Sequence, residues 1–107
     1  MDKIVEICCG SYEDALAAYR GGAKRIELNS ALYLGGLTPS LASLILTKKH
    51  TALKVITMIR PRGAGFCYTD AEFETLKMDA VLMMQNGADG IAFGCLDADG
   101  IILLEKT

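Results

Sequence analysis

The sequence predicts an α/β fold, a (β/α)8 barrel of the TIM type, with this chain covering about its first four βα units. Three observations predict it. Short apolar runs alternate with amphipathic stretches across short connections, the pattern of a parallel sheet with right-handed crossovers. Two of those runs carry an internal glutamate, Glu6 and Glu27, between apolar neighbours. Because side chains alternate across a strand, each run then has one apolar face for helices and one polar face. That suits a closed barrel better than a sheet covered by helices on both sides. Finally, Gly22-Ala23-Lys24-Arg25-Ile26 is echoed by Gly87-Ala88-Asp89-Gly90-Ile91, each a helix end feeding a strand, as in successive units of one array. A complete barrel takes about 250 residues. A chain of 107 residues is therefore expected to be the N-terminal half of a single TIM-barrel domain, as a fragment or a truncated product.

Ile4 to Cys8 reads as the first strand. Ser11 caps the helix after it, with Asp14 in a capping-box-like position, and Ala15, Leu16, Ala18 and Tyr19 form its apolar stripe until Gly21-Gly22. Arg25-Ile26-Glu27-Leu28 is the second strand, followed by a loop containing Gly35-Gly36. Thr38 and then Pro39 read as the cap and first position of the second helix, with Leu41, Leu44 and Ile45 at helical spacing. Lys48, Lys49 and His50 place cations at the negative end of its dipole, which accounts for the single histidine without a ligand role.

Leu53 to Ile59 is the third strand, ended by Pro61, which has no ladder donor. Thr69 and Glu72 form a capping box for a long helix with Phe73, Leu76, Ala80, Val81 and Met84 facing inward, its methionines serving as core filler. Asn86-Gly87 closes that helix, and Asp89 to Gly94 is the fourth strand. Asp97-Ala98-Asp99-Gly100 then turns the chain into Ile101 to Leu104.

Eleven basic and thirteen acidic residues give a net charge of −2, which excludes a nucleic-acid footprint and a basic membrane surface. Apolar residues make up 51%, enough for a core, but no run has the length of a spanning helix. Met1 to Glu6 lacks the long apolar segment of an export signal, and Cys8, Cys9, Cys67 and Cys95 show no paired spacing. Reduced thiols and a cytoplasmic location are expected.

Chemistry concentrates at the strand ends, where barrels of this kind carry their sites. Between the third strand and third helix lie Arg60 and Arg62, whose guanidiniums suit a carboxylate or phosphate; the alternative is a carboxylate partner within the domain. Glu6, Glu27 and Arg60 are expected near one another on the barrel interior. There they are candidates for acid–base work on a small anionic substrate or for holding a divalent metal. A closed ion-pair network filling the interior is an equal alternative. A third reading is purely structural, a half-barrel whose open edges make it associate.

Glu6-Ile7-Cys8, Arg25-Ile26-Glu27-Leu28, Gly35-Gly36-Leu37-Thr38-Pro39-Ser40, Ile59-Arg60-Pro61-Arg62-Gly63, Phe66 with Tyr68, and Gly87-Ala88-Asp89-Gly90 occur in this order. In these motifs the whole chain resembles the N-terminal half of the CutC family of copper homeostasis proteins. The resemblance implies a cytoplasmic barrel that forms homo-oligomers and handles copper, with a copper ion or small molecule as partner and neither nucleic acid nor membrane. It also implies Cu(I) as the bound metal, held by cysteine thiolates, which are soft ligands. Cys8, Cys67 and Cys95 are the candidates, provided their loops converge; Cys9 should point away from Cys8. Two departures stand out. Asn29 occupies a position where the family commonly has cysteine, and Arg62-Gly63-Ala64-Gly65-Phe66 lacks the family's loop carboxylate.

Overall fold

Four strands, β1 (Glu6–Cys9), β2 (Arg25–Leu28), β3 (Lys54–Met58) and β4 (Gly90–Ala92), pair in parallel and in sequence order in the computed structural model. The structure describes residues 3–107; Met1 and Asp2, the start of the stretch read for an export signal, lie outside the described residues. Helices α1 (Tyr12–Arg20), α2 (Leu41–His50) and α3 (Asp70–Gln85) fill the three crossovers and pack side by side, α1 on α2 and α2 on α3. Right-handed crossovers between sequential neighbours put every helix on one face, the arrangement of the first units of a (β/α) barrel.

The register fixes what each face carries. Ile7, Ile26 and Val55 share one row, and Cys9, Leu28 and Thr57 share another. These rows face the helices, where Ile26, Leu28, Val55 and Ile59 are fully buried with Ala15, Leu44, Leu53, Leu76 and Met83. Each buried aliphatic side chain contributes about 1.5–3 kcal/mol relative to exposure. The alternate rows hold Glu6 with Arg25 and Cys8 with Glu27 and Ile56, on the face away from the helices. Both glutamates therefore lie on the helix-free face.

Local capping sets the helix starts. Ser11 Oγ accepts from Asp14 N at 3.0 Å, while Asp14 Oδ2 accepts from Gly10 N at 2.9 Å. On α3 the capping box is complete, with Thr69 Oγ1 accepting from Glu72 N and Glu72 Oε1 from Thr69 N.

Beside β3, which spans Lys54–Met58 rather than Leu53 to Ile59, four details differ from the sequence reading. First, α2 is capped by Ser40, not Thr38. Thr38 Oγ1 instead accepts from Arg60 N at 2.9 Å, and Thr38 N donates to Arg60 O, so the residue is tied to the segment just after β3 and the helix starts later. Second, β4 ends at Ala92, and Asp89 turns its carboxylate to Lys48 Nζ and Val55 N, both at 2.8 Å. Third, β1 starts at Glu6 rather than Ile4 and runs through Cys9. Fourth, Val81 and Met84 are 52% and 48% exposed while Met83 is 3% exposed. The face of α3 that they occupy has no neighbouring helix among the described residues.

Candidate functional site

At the C-terminal end of β1 the chain presents two adjacent thiols to opposite faces. Cys9 is buried against the helices, and Cys8 is exposed on the helix-free face. Beside Cys8 the β2 ladder continues one residue past the strand, with Asn29 N donating to Cys9 O at 2.8 Å. The Asn29 side chain is 2% exposed and sits among its donors' targets. Its Nδ2 lies 3.5 Å from Cys8 Sγ, 3.0 Å from Glu27 Oε1 and 3.3 Å from Glu27 O. Asn29 thus joins the Cys8 thiol and the Glu27 carboxylate into one polar cluster.

The glycine pair of the next loop makes this cluster possible. Gly36 has φ +94°, and a Cβ there would stand 2.5 Å from Asn29 Oδ1. Gly35 has φ +89°, and its Cβ would stand 3.0 Å from Arg60 Nη1. Only glycine combines that backbone conformation with that closeness. The turn is closed by reciprocal bonds between Ser30 and Leu37, at 2.9 and 2.8 Å.

Charge around Cys8 keeps its proton on. Burial pushes the thiol up from its ordinary value, and the negative charges of Glu27, Glu6 and Asp14 add to the effect. Burial likewise pushes Cys9 up to about 11. A cation binding Cys8 must displace that proton, but the same carboxylates would then favour the cation.

The expected grouping of Glu6, Glu27 and Arg60 does not assemble. Glu6 Oε2 pairs with Arg25 Nε at 2.7 Å, a charge contact without hydrogen-bond alignment, because the two residues are level in the register. Glu27 is held by Asn29. Arg60 lies beyond the end of β3 and turns towards the loop that follows β2. There its Nη1 donates to Leu34 O at 3.0 Å and Gly36 O at 3.4 Å, and the Phe66 ring covers it at 4.6 Å. The three side chains thus have three separate sets of partners.

Arg62, expected to hold an anion, is committed within its own loop. Nε and Nη2 form a fork on Glu72 at 2.7 and 3.0 Å, Nη1 reaches the carbonyls of Gly63, Ala64 and Gly65, and Nη2 also reaches Cys67 O. The fork and the Thr69 amide lower the Glu72 carboxyl to about 2. Glu72 is therefore the anion of Arg62, and the pair ties the loop to the first turn of α3.

Nor do the three candidate thiols form one group, although the loops of Cys67 and Cys95 meet where Leu96 N donates to Phe66 O at 2.9 Å. Cys67 is exposed in the arginine loop, and Cys95 is buried after β4. Among the described residues no three His, Cys, Asp or Glu side chains are placed to hold a metal together. Two residues gain importance that sequence reasoning did not give them. Asn29, noted only as a replacement, is the hub of the Cys8 cluster. Tyr68 lies under the Arg62 guanidinium at 4.9 Å, with a buried hydroxyl that has no hydrogen-bond partner. The signal for Tyr68 was its spacing from Phe66, which lets two rings meet two arginines.

Known proteins resemble this chain in sequence and in fold. The CutC family profile matches residues 3–107. A family protein CutC from Treponema denticola is 58% identical over 98 residues, covering 92% of this chain and 40% of the relative. A copper homeostasis protein cutC homolog from Homo sapiens is 48% identical over 99 residues, covering 92% of this chain and 36% of the relative. A crystal structure of a CutC protein from Streptococcus agalactiae aligns with a TM-score of 0.89 at 27% identity, over 96% of this chain and 50% of that one. The chain therefore spans half or less of the length of each of these three proteins, and its four parallel strands correspond to the first βα units of a TIM barrel.

Proposed function

This chain belongs to the CutC family, and from that premise we propose that it serves copper homeostasis as the N-terminal half of a barrel whose mouth takes Cu(I) on Cys8. One observation carries the reading. Cys8 is the exposed thiol at the C-terminal end of β1, on the helix-free face, with the Asn29 amide at 3.5 Å and Glu27 bound to the same amide. The human relative's name, copper homeostasis protein, supports copper as the cargo. A thiolate is the soft donor that Cu(I) prefers, and the neighbouring carboxylates offset the ion's charge.

The donor set of this chain fits in part. Cys8 supplies one sulfur and Glu27 a harder oxygen, while Asn29 turns its NH2 to both and so orients them rather than ligating, and neither Cys67 nor Cys95 bonds to the cluster. A single-thiolate site is weaker than a two-thiolate one, so further soft donors come from the remaining strands or from a second copy. Four free cysteines support a reducing, cytoplasmic setting. Among the described residues β1 and β4 are paired on one side only, which supports association, with the remaining strands of the barrel or with a second copy in a homo-oligomer.

The test is an anaerobic Cu(I) competition against a chromogenic chelator. Cys8→Ser should weaken binding by about tenfold or more, because the only thiolate of the cluster is lost. Cys9→Ser should have a much smaller effect, since that side chain faces the helices. Failure of the parent chain to compete, or equal behaviour of the two variants, rejects the site.

A further inference from the structure

Arg60 grips the loop between β2 and α2 twice. Its backbone exchanges two bonds with Thr38, Arg60 N donating to Thr38 Oγ1 at 2.9 Å and Thr38 N to Arg60 O at 3.0 Å. Its Nη1 crosses the loop to donate to Leu34 O at 3.0 Å and Gly36 O at 3.4 Å, while the Phe66 ring covers the guanidinium at 4.6 Å. The gripped loop is bent by three left-handed residues, Ala31 at φ 46°, Gly35 at 89° and Gly36 at 94°. An alanine keeps that conformation only where its surroundings over-determine it.

Gly36 passes the hold on to Asn29. The two are so close that a Cβ on Gly36 would stand 2.5 Å from Asn29 Oδ1. With its oxygen set against that glycine, the Asn29 amide turns its Nδ2 to Cys8 Sγ at 3.5 Å and to Glu27 Oε1 at 3.0 Å. Arg60 is 9% exposed and forms no ion pair with a carboxylate among the described residues. A charge taken out of water without a counter-charge is costly. What this one meets instead are the carbonyl dipoles of the loop.

We propose that Arg60 is a positioning residue for the Cys8 site: by clamping the loop at Leu34 and Gly36, it holds the Asn29 amide on Cys8 and Glu27. Groups that orient the donors of a metal set its affinity without touching it. The consequence for copper rests on the reading of Cys8 as the Cu(I) donor, whereas the clamp is measured without copper.

The experiment follows the side-chain amide of Asn29 by heteronuclear NMR on the full chain, which has two asparagines and one glutamine, so that Asn86 serves as control. Arg60→Met keeps the length of the side chain and removes its donors. It should speed exchange of the Asn29 amide with water about five- to tenfold, the loss of a hydrogen bond's worth of hold, and leave Asn86 unchanged. Arg60→Lys returns a charged donor to the carbonyls and should recover the parent's rate. In a copper arm, anaerobic Cu(I) affinity should fall about tenfold in Arg60→Met and in Asn29→Ala, and no further in the double variant. If Arg60→Met does not fold, Gly35→Ala, which sets a Cβ 3.0 Å from Arg60 Nη1, should shift the Asn29 amide in the same sense. A folded Arg60→Met with the parent's Asn29 exchange, or additive losses of Cu(I) affinity, overturns the proposal. Absence of Cu(I) binding in the parent rejects the Cys8 reading alone, and the Asn29 signal still decides the clamp.

Discussion

The Glu72 carboxylate accepts from both Arg62 and the Thr69 amide, and these bonds lower its pKa from 4.5 to about 2. A carboxylate depressed in the folded state stabilises the fold above its ordinary pKa and loses that contribution as pH falls towards the folded value. Glu72→Gln should therefore lower the Tm at neutral pH. The gap to the parent should close as the pH drops from about 5 towards 2, measured by thermal unfolding at a series of pH values. A gap that persists at the acid end would mean that Glu72 acts through packing rather than charge. Gly36→Ala should cost about 1–3 kcal/mol from its left-handed backbone alone, and more from the clash with Asn29 Oδ1, measured by denaturant unfolding. At this scale the sequence was informative wherever alternation decides: Cys8 and Cys9 point to opposite faces because a strand has a period of two. It named no partner for Asn29, and for Arg62 it offered only an unspecified carboxylate of the domain beside an external anion. Their partners, Cys8 and Glu72, lie 21 and 10 residues away and are chosen by the fold.

Among the elements, the start of α2 shows how tertiary contacts outrank a local signature. Thr38-Pro39 has the composition of a helix start, yet Thr38 is drawn into bonds with Arg60 and Ser40 takes the cap. Ser40→Ala should cost about 1 kcal/mol as a lost N-cap. Thr38→Ala should cost a similar amount through the lost bond to Arg60 N, about 0.5–1.5 kcal/mol. The two differ in a second readout: only Thr38→Ala should increase amide exchange at Arg60. Equal exchange in both variants would place the cap and the tether wrongly. The capping box of α3 and the span of β2 were legible because both are written in contiguous residues. The exposure of Val81 and Met84 was not, because their spacing on α3 reads as a core face.

For the whole molecule, alternation of strand and helix was enough to predict the parallel order β1-β2-β3-β4 with helices on one face. It also leaves two open flanks. Ile4 and Val5 are 64% and 68% exposed beside a groove of about 540 Å³ that runs between the start of β1 and the end of α1. Apolar surface next to an unpaired strand edge favours association. Sedimentation equilibrium should give a mass above the 11.5 kDa of one chain; a single species of that mass over the accessible concentration range would contradict the homo-oligomer.

The central claim is that Cys8 and position 29 face one Cu(I) site across neighbouring strands, and its most direct measurement is a double-mutant cycle. Cu(I) affinity is measured anaerobically for the parent, Asn29→Cys, Cys8→Ser and the double variant. A second thiolate on the residue whose longer amide side chain now reaches Cys8 Sγ should tighten Cu(I) binding when Cys8 is present and much less when it is serine. Equal tightening with and without Cys8, or none at all, would contradict a shared site at the end of β1 and β2.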